Sequence, residues 1–473
     1  MDYHHDVGTS WFVYVEIEMK PAYIDQHVLV LGLGETGLSV MRWLVKQGAA
    51  VSMADSRLNP PGLEALMQNY PTLKVHTGPF VLDVLMDCDW IVSSPGVALS
   101  EPELQMAIAQ GKKVVGDIEL FALHRPQASK VIAITGSNGK TTVTTLVGEI
   151  CKRAGLKTVV AGNIGLPVLD TLEDEAPDVY VLELSSFQLE TTFNLKVDVA
   201  TVLNISEDHM DRYANIDAYA AAKARIYDNA TLAVVNRDDP ASLGLTKTEA
   251  VSFGLNEAKN YSDFGVTEGR DAWLTSGKRK WLPVEDLQIQ GQHNVANALA
   301  AMALCSNVGI DKSAIIQTLR HFKGLPHRVE WVANINDIDF YDDSKGTNVG
   351  ATCAAIKGMT KAGKTQKVVL LAGGDGKGQD FGPLLEAVQA NARAIVLFGR
   401  DAPLIEAVLL TSELPIYDAI DLREAVAIAH KVASKGDAVL LSPACASFDM
   451  FKNYVHRAEV FVEAVKALEV ATC

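Results

Sequence analysis

Cysteine is sparse and scattered. The six residues Cys88, Cys151, Cys305, Cys353, Cys445 and Cys473 contain no C-x-x-C pair, which excludes a disulfide framework and a thiolate metal site. Basic residues are in deficit: 42 Lys+Arg against 58 Asp+Glu leave a net charge of −16. That balance excludes a nucleic-acid or polyanion surface, so any phosphate bound must be held locally. No apolar run approaches the roughly 18 residues of a membrane span. The opening stretch, MDYHHDVGTSWFVYVEIEMK, lacks the basic start and small-residue cleavage site of a signal peptide. Met19 is a candidate true start, with residues 1–18 as an extension.

What is present is ordinary for a soluble globular enzyme: 48% hydrophobic and 21% charged residues over 473 positions. That length predicts about three domains at roughly 150 residues each. The recurring pattern is a short apolar run, a Gly-rich turn and a helical stretch. Runs without strict alternation suit parallel sheets covered on both faces. Val28–Leu31, Val51–Ala54, Trp90–Val92 and Val114–Val115 read as strands of a first unit ending near Asp117, with a helix over Leu38–Gln47. A second unit has strands at Val131–Ile134, Tyr180–Leu184, Ala200–Leu203 and Ala233–Val235, and a closing helix at Val295–Cys305. Its stretch 241–290 reads as a small antiparallel insertion. A third unit follows the Gly324-Leu-Pro326 break, with strands at Asp339–Tyr341, Val368–Leu371, Ile395–Phe398 and Ala438–Leu441. The expected class is α/β, in three consecutive units.

The sharpest motif is Thr135-Gly136-Ser137-Asn138-Gly139-Lys140-Thr141-Thr142, a glycine loop between a strand and a helix. Backbone N–H groups of such a loop, with the helix N-terminus, form a concave anion site. Lys140 would supply charge to the β- and γ-phosphates of ATP, and Thr141 a hydroxyl to Mg²⁺. The spacing is not a regular Walker A, because its first glycine would fall on Ile134. Glu183 ends an apolar strand and His209 follows another within Asn204-Ile-Ser-Glu-Asp-His-Met-Asp-Arg212, so both are candidate metal ligands. Lys223, in Ala220-Ala-Ala-Lys-Ala-Arg-Ile226, reads by composition as a solvated helix lysine.

Gly32-Leu-Gly34-Glu-Thr36-Gly37 follows a strand, opens a helix and has Asp55 at the end of the next strand. Alone it matches the dinucleotide fingerprint and suggests an NAD-dependent oxidoreductase. Any diphosphate satisfies that geometry, however, and a nicotinamide enzyme has no use for the second phosphate loop. Tyr341-Asp-Asp-Ser-Lys-Gly-Thr-Asn348 and Gly373-Gly-Asp-Gly-Lys377 are polar clusters at further strand ends, where doubly wound sheets bind ligands. Cys445 has no evident histidine partner and reads as structural.

These residues resemble the Mur ligase family. The resemblance rests on the 135–141 loop, Leu182-Glu-Leu-Ser-Ser-Phe-Gln188, Glu207-Asp-His-Met-Asp211, Gly291-Gln-His-Asn294, Pro326-His-Arg328, Asp343-Ser-Lys345 and Ser442-Pro-Ala-Cys-Ala-Ser447. It runs from Gly32 to Tyr454, nearly the whole chain. It implies a Rossmann-like sugar-nucleotide domain (19–118), a P-loop-type ATPase domain (119–324) and a Rossmann-like C-terminal domain (325–473). The implied activity is ATP-dependent addition of D-glutamate to UDP-N-acetylmuramoyl-L-alanine through an acyl phosphate, a cytoplasmic step of peptidoglycan synthesis.

By the same resemblance, Gly34, Thr36, Gly37, Asp55, Ser56, Arg57, Asn163 and Ser185 hold the UDP substrate. Gly136–Thr142, Asn294, Asn297, His327, Arg328, Asp343 and Lys345 hold ATP. Thr141, Glu183, His209 and a carbamylated Lys223 hold two Mg²⁺ ions, with Lys140, His209 and Lys223 the catalytic set. Thr347, Lys377, Ser447 and Tyr454 take D-glutamate. The family more often has threonine at Ser56 and phenylalanine at Tyr454. A monomer without nucleic-acid or membrane partners is expected. Lysine- or diaminopimelate-adding ligases are the nearest alternatives, although the Asp-Asn-Pro-Arg signature of diaminopimelate enzymes is absent. A folylpolyglutamate synthase would begin close to the ATP loop, and a purely structural binding module would leave the strand-end clusters unexplained.

Overall fold

The computed structural model describes residues 23–269, 271–289, 291–359 and 366–472. The candidate start at Met19, the extension before it and Cys473 lie outside them. Two compact units result, one up to Val115 and one from Gly116 onward.

In the first unit five parallel strands lie in the order Lys74–Thr77, Ala50–Asp55, His27–Leu31, Trp90–Ser93, Lys113–Val115. The chain reverses its winding between His27–Leu31 and Trp90–Ser93, the place where such sheets open a ligand crevice. Leu29, Leu31 and Ile91 are fully buried, as parallel strands covered on both faces require. The helix expected from Leu38 begins earlier, at Glu35, with Gly34 as its N-cap.

The second unit carries two sheets. One has nine strands, in the order Arg279–Pro283, Trp273–Ser276, Phe264–Val266, Ala250–Phe253, Ala230–Asn236, Val197–Val202, Lys130–Thr135, Val179–Glu183, Thr158–Gly162. The helices Lys140–Arg153, Gln292–Asn307 and Lys312–His321 contribute Val143, Leu146, Leu299, Met302 and Ile315 to the core against it. The stretch 241–290 is not a separate insertion. Ala250–Phe253 pairs parallel with Ala230–Asn236, and only the last two strand pairings are antiparallel.

The other sheet has six strands, in the order Glu330–Ile335, Ile338–Asp342, Ala438–Leu441, Val368–Ala372, Ala392–Leu397, Ile416–Asp418. Its first two strands form a hairpin turning at Asn336 and Asp337, both at positive φ (55° and 65°). That is the conformation a two-residue hairpin loop needs, and Asn and Asp tolerate it best.

Candidate active site

The strand Lys130–Thr135 delivers the glycine loop. Gly139 has φ 84°, and a Cβ there would sit 2.5 Å from Asn297 Oδ1, so only glycine fits. The loop's shape is held by the segment after the neighbouring strand. Ser137 N–H donates to Asn204 O (2.9 Å) and Asn138 N–H to Asn204 Oδ1 (2.8 Å), while Asn204 Nδ2 donates to Asn138 O (3.0 Å). Ser206 N–H donates to Ser137 Oγ at 2.9 Å. Lys140 opens the helix and folds back, donating to Gly136 O (2.7 Å) and Ser137 O (2.8 Å). Burial lowers its pKa, against the opposing charges of Glu183 and Asp208.

Glu183 is 2% exposed at the end of its strand. Asn163 Nδ2 donates to its Oε1 at 2.9 Å, and Oε2 is buried with no partner. A buried carboxylate oxygen left open costs free energy unless something binds it, and an open oxygen is what a hard cation takes. His209 adopts φ 59° and packs edge-on against Phe187, ring centroids 4.8 Å apart. Burial pushes its pKa down to about 4, Asp208 opposing, so the ring is neutral at pH 7 with a free lone pair.

Lys223 overturns its composition-based expectation. It is 1% exposed, because the helix Ile216–Ala224 buries Tyr219, Ala220, Ala222 and Lys223 together. Its Nζ lies 4.6 Å from the Tyr219 ring centroid and 3.4 Å from Thr135 Oγ1. Burial first, then the charge of Lys140, holds its pKa well below the ordinary lysine value. A short alanine-rich helix carries little information about which face is wet, so sequence alone could not have revealed this.

A cavity of about 920 Å³ adjoins the loop, within the roughly 300–1,000 Å³ range of small-molecule sites. Asn138, Gly139 and Thr142 line it from one side, Asn294 and Asn297 from the helix Gln292–Asn307, and Arg328 and Asp343 from the loops that flank the hairpin of the six-stranded sheet. Seven of the expected ATP residues thus share one wall system. Asp343 is 6% exposed, and burial lifts its pKa to about 7 although Ser442 Oγ donates to it at 2.6 Å. Lys345 Nζ sits 3.8 Å over the Tyr454 ring, its pKa lowered to about 8 by burial and then by Arg328. His327 turns to Asp342, Nδ1 to Oδ2 2.7 Å, and does not line the cavity.

Of the residues expected for D-glutamate, Lys377 is drawn into the same network. Lys377 pairs with Asp208, both largely buried. Asn348 Nδ2 donates to Asp208 Oδ2 (3.3 Å) and to Asn138 Oδ1 (3.0 Å), tying this loop to the phosphate loop. Thr347 N–H donates to Lys345 O at 2.9 Å, and Ser447 O accepts from Phe451 N–H at 2.8 Å. Sequence reasoning missed Asn204, Asp208, Asn348 and Arg457. Asp208 adjoins His209 and could have been suspected, whereas Arg457 looks like any helix arginine. It is fully buried, and its guanidinium donates to Ser344 O (2.9 Å) and Cys445 O (3.1 Å). Cys445 itself is buried, which pushes its thiol up to about 12 and fits the structural role expected of it.

In the first unit, Gly32 has φ 93°, and a Cβ on Gly37 would lie 1.9 Å from Gly32 O. Gly34 is the exposed N-cap and Thr36 lies in the first helical turn. Both Asp55 oxygens are occupied. Leu33 N–H donates to Oδ2 (2.8 Å), and Arg57 donates through Nε to Oδ1 (2.8 Å) and Nη2 to Oδ2 (2.7 Å). Burial raises its pKa, but these bonds outweigh that and hold it at about 2. A dinucleotide fold would keep this carboxylate for a ribose hydroxyl. Here Arg57 pairs with it.

Parallel sheets whose carboxyl ends carry a phosphate loop, a half-used buried carboxylate and a nucleotide-sized cavity define an α/β nucleotide-dependent enzyme. The sequence matches the models for the Mur ligase MurD-like N-terminal domain over residues 26–116, the Mur ligase middle domain over 134–305 and the Mur ligase glutamate ligase domain over 327–445. The chain belongs to the Mur ligase family, with its three α/β domains. It is 59% identical over 448 residues to a UDP-N-acetylmuramoylalanine–D-glutamate ligase of Methylobacillus flagellatus, covering 94% of this chain and 98% of that one. A ligase of the same name from Thiobacillus denitrificans is 54% identical, covering 93% and 96%. Among solved structures, the UDP-N-acetylmuramate–alanine ligase of Thermotoga maritima shares the fold at TM-score 0.59 and 21% identity, covering 93% of this chain and 99% of that one.

Proposed function

We propose that this protein joins D-glutamate to UDP-N-acetylmuramoyl-L-alanine in an ATP-dependent amide ligation. The observation that carries the reading is the position of the 136–141 loop: Asn138 and Gly139 face the cavity, while Lys140 feels the charges of Glu183 and Asp208. Nucleotide and reacting carboxylate can therefore meet across one loop. The near-full-length identity to ligases of that name supports the choice of amino acid.

In this mechanism the L-alanyl carboxylate attacks the γ-phosphate in line, giving an acyl phosphate and ADP. The amine of D-glutamate then attacks the acyl carbon, and phosphate leaves from a tetrahedral intermediate. Lys140 offsets charge on the transferring oxygens, where positioning and electrostatics dominate. Thr141, Glu183, His209 and a carbamylated Lys223 would hold two Mg²⁺ ions, and bound Mg²⁺ would neutralise phosphate charge and orient the phosphoryl group. The open Glu183 oxygen and the neutral His209 ring fit that task. Burial biases Lys223 toward its uncharged amine, the form that would add to CO₂ and lose a proton to give an anionic carbamate.

Asn294, Asn297, Arg328 and Asp343 hold the nucleotide, with His327 and Lys345 beside them. Thr347, Lys377, Ser447 and Tyr454 receive D-glutamate, with Lys377 shared between Asp208 and the amino-acid carboxylate. Gly34, Thr36, Gly37, Asp55, Ser56 and Arg57 hold the UDP end, and Asn163 and Ser185 the channel. On this reading the enzyme is a cytoplasmic monomer without nucleic-acid or membrane partners. The net charge of −16 supports the first exclusion, and no described helix is long and apolar enough to cross a membrane.

The test is ATP-dependent phosphate release with UDP-N-acetylmuramoyl-L-alanine, offering D-glutamate, L-glutamate, L-lysine and meso-diaminopimelate separately. Release with D-glutamate alone is expected. Release only with another amino acid would move the specificity, and none with any would remove the proposal.

A further inference from the structure

Two carboxylates are buried in the helix Asp117–His124, and their surroundings differ. Glu119 accepts from Phe193 N–H (2.6 Å), Asn194 N–H (2.9 Å) and the Asn194 amide, so it tethers the helix to that segment. Asp117 is 3% exposed in the first helical turn, where its own backbone N–H and that of Ile118 reach its carboxylate, and it makes no such tether. Gln188 Nε2 donates to its Oδ2 at 3.2 Å, while Oδ1 is buried without a partner. Among the described residues no cation pairs with it. Burying a carboxylate with one oxygen left open is costly, and the tether to 193–194 is already made by Glu119.

What Asp117 does touch leads to the substrate channel. Gln188 is 3% exposed and forms a reciprocal capping box with Ser185. Ser185 N–H donates to Gln188 Oε1 (3.1 Å), and Gln188 N–H donates to Ser185 Oγ (3.1 Å). With Oε1 committed to Ser185, the Gln188 amide nitrogen needs an acceptor on its other side. Asp117 supplies one. When ionised it is an acceptor only, so a flipped amide would set oxygen against oxygen.

We infer that Asp117 is a positioning residue that, through Gln188, fixes Ser185 in the orientation that receives the sugar-nucleotide substrate. The inference rests on the ligase function proposed above, and wild-type turnover, measured first, judges that function by itself.

The test compares Asp117→Leu, which removes the acceptor, with Asp117→Asn, which restores an amide oxygen toward Gln188. Asp117→Leu should raise KM for UDP-N-acetylmuramoyl-L-alanine about tenfold, the scale of a hydrogen bond to a charged group. KM for ATP and kcat should change by less than about threefold, the pattern of lost uniform binding. Asp117→Asn should stay within about threefold of wild type on every parameter. Combined with Ser185→Ala, Asp117→Leu should add nothing further, because residues in one network are non-additive. Gln188→Met should reproduce the KM rise, which keeps the proposal open to refutation if Asp117→Leu does not fold. An unchanged KM in Asp117→Leu or Gln188→Met overturns the inference. So does full additivity with Ser185→Ala, or an Asp117→Asn variant as impaired as the leucine.

Discussion

The chain builds two strand–glycine loop–helix units, and they are electrostatic opposites. Beside Gly32–Gly37 the nearby acid, Asp55, is fully used by Arg57 and a backbone N–H. Beside Gly136–Gly139 the nearby acid, Glu183, keeps an open oxygen, and the half-buried Lys140 and the buried Lys223 both have lowered pKa values. The first arrangement is at rest and suits holding a diphosphate. The second holds unmet electrostatic demand, which suits stabilising charge that develops during a reaction. The glycines announce phosphate in both places; the neighbours decide whether chemistry follows.

The largest effect that would break this contrast is at Lys140. Lys140→Ala should lower ATP-dependent phosphate release by about 10²–10³-fold, the scale of losing one preorganised charge partner. Its circular dichroism should match wild type. Near-wild-type turnover would remove the reactive role given to the second loop. Lys223→Ala should lose about 10²-fold and recover in part with added formate or acetate, read as phosphate release. Absence of any recovery would weaken the carbamate assignment.

A smaller change belongs to the first loop. Asp55→Asn should raise KM for the sugar nucleotide about tenfold with kcat little altered, because it weakens a charge-assisted pair that serves binding alone. Its pH signature sharpens the comparison. The folded pKa of Asp55 is depressed to about 2 from an ordinary value of 3.8. The stability it contributes is therefore present above about pH 4 and lost as pH falls toward 2. Thermal midpoints of wild type and Asp55→Asn should converge across that window; a constant gap would contradict the assignment. The smallest effect is at Cys445. With its thiol pushed up to about 12, Cys445→Ala should keep turnover within about twofold, whereas a large loss would reopen the nucleophile reading.

Much of the fold was legible because buried parallel strands leave unbroken apolar runs and phosphate loops leave glycines. Short or edge strands such as Thr158–Gly162 and Ile416–Asp418 leave weaker traces and went unread. At the site, Lys140, Glu183 and Asp343 were visible as polar residues at strand ends. The state of Lys223 was not, because its burial is imposed by packing partners distant in sequence. Nor was the contact of Lys377 with Asp208, 169 positions away. Arg457 went unseen for a further reason: most of its hydrogen bonds go to carbonyl oxygens, which no side-chain pattern encodes.

The proposed function divides labour between sugar-nucleotide retention at Gly32–Gly37 and phosphoryl chemistry at Gly136–Thr141. The most direct measurement is calorimetric titration of Lys140→Ala with UDP-N-acetylmuramoyl-L-alanine and, separately, with a non-hydrolysable ATP analogue. Sugar-nucleotide affinity should stay within about threefold of wild type and analogue affinity weaken by about tenfold or more, a loss of roughly 1.4 kcal/mol. Unimpaired analogue binding, or loss of sugar-nucleotide binding, would contradict it.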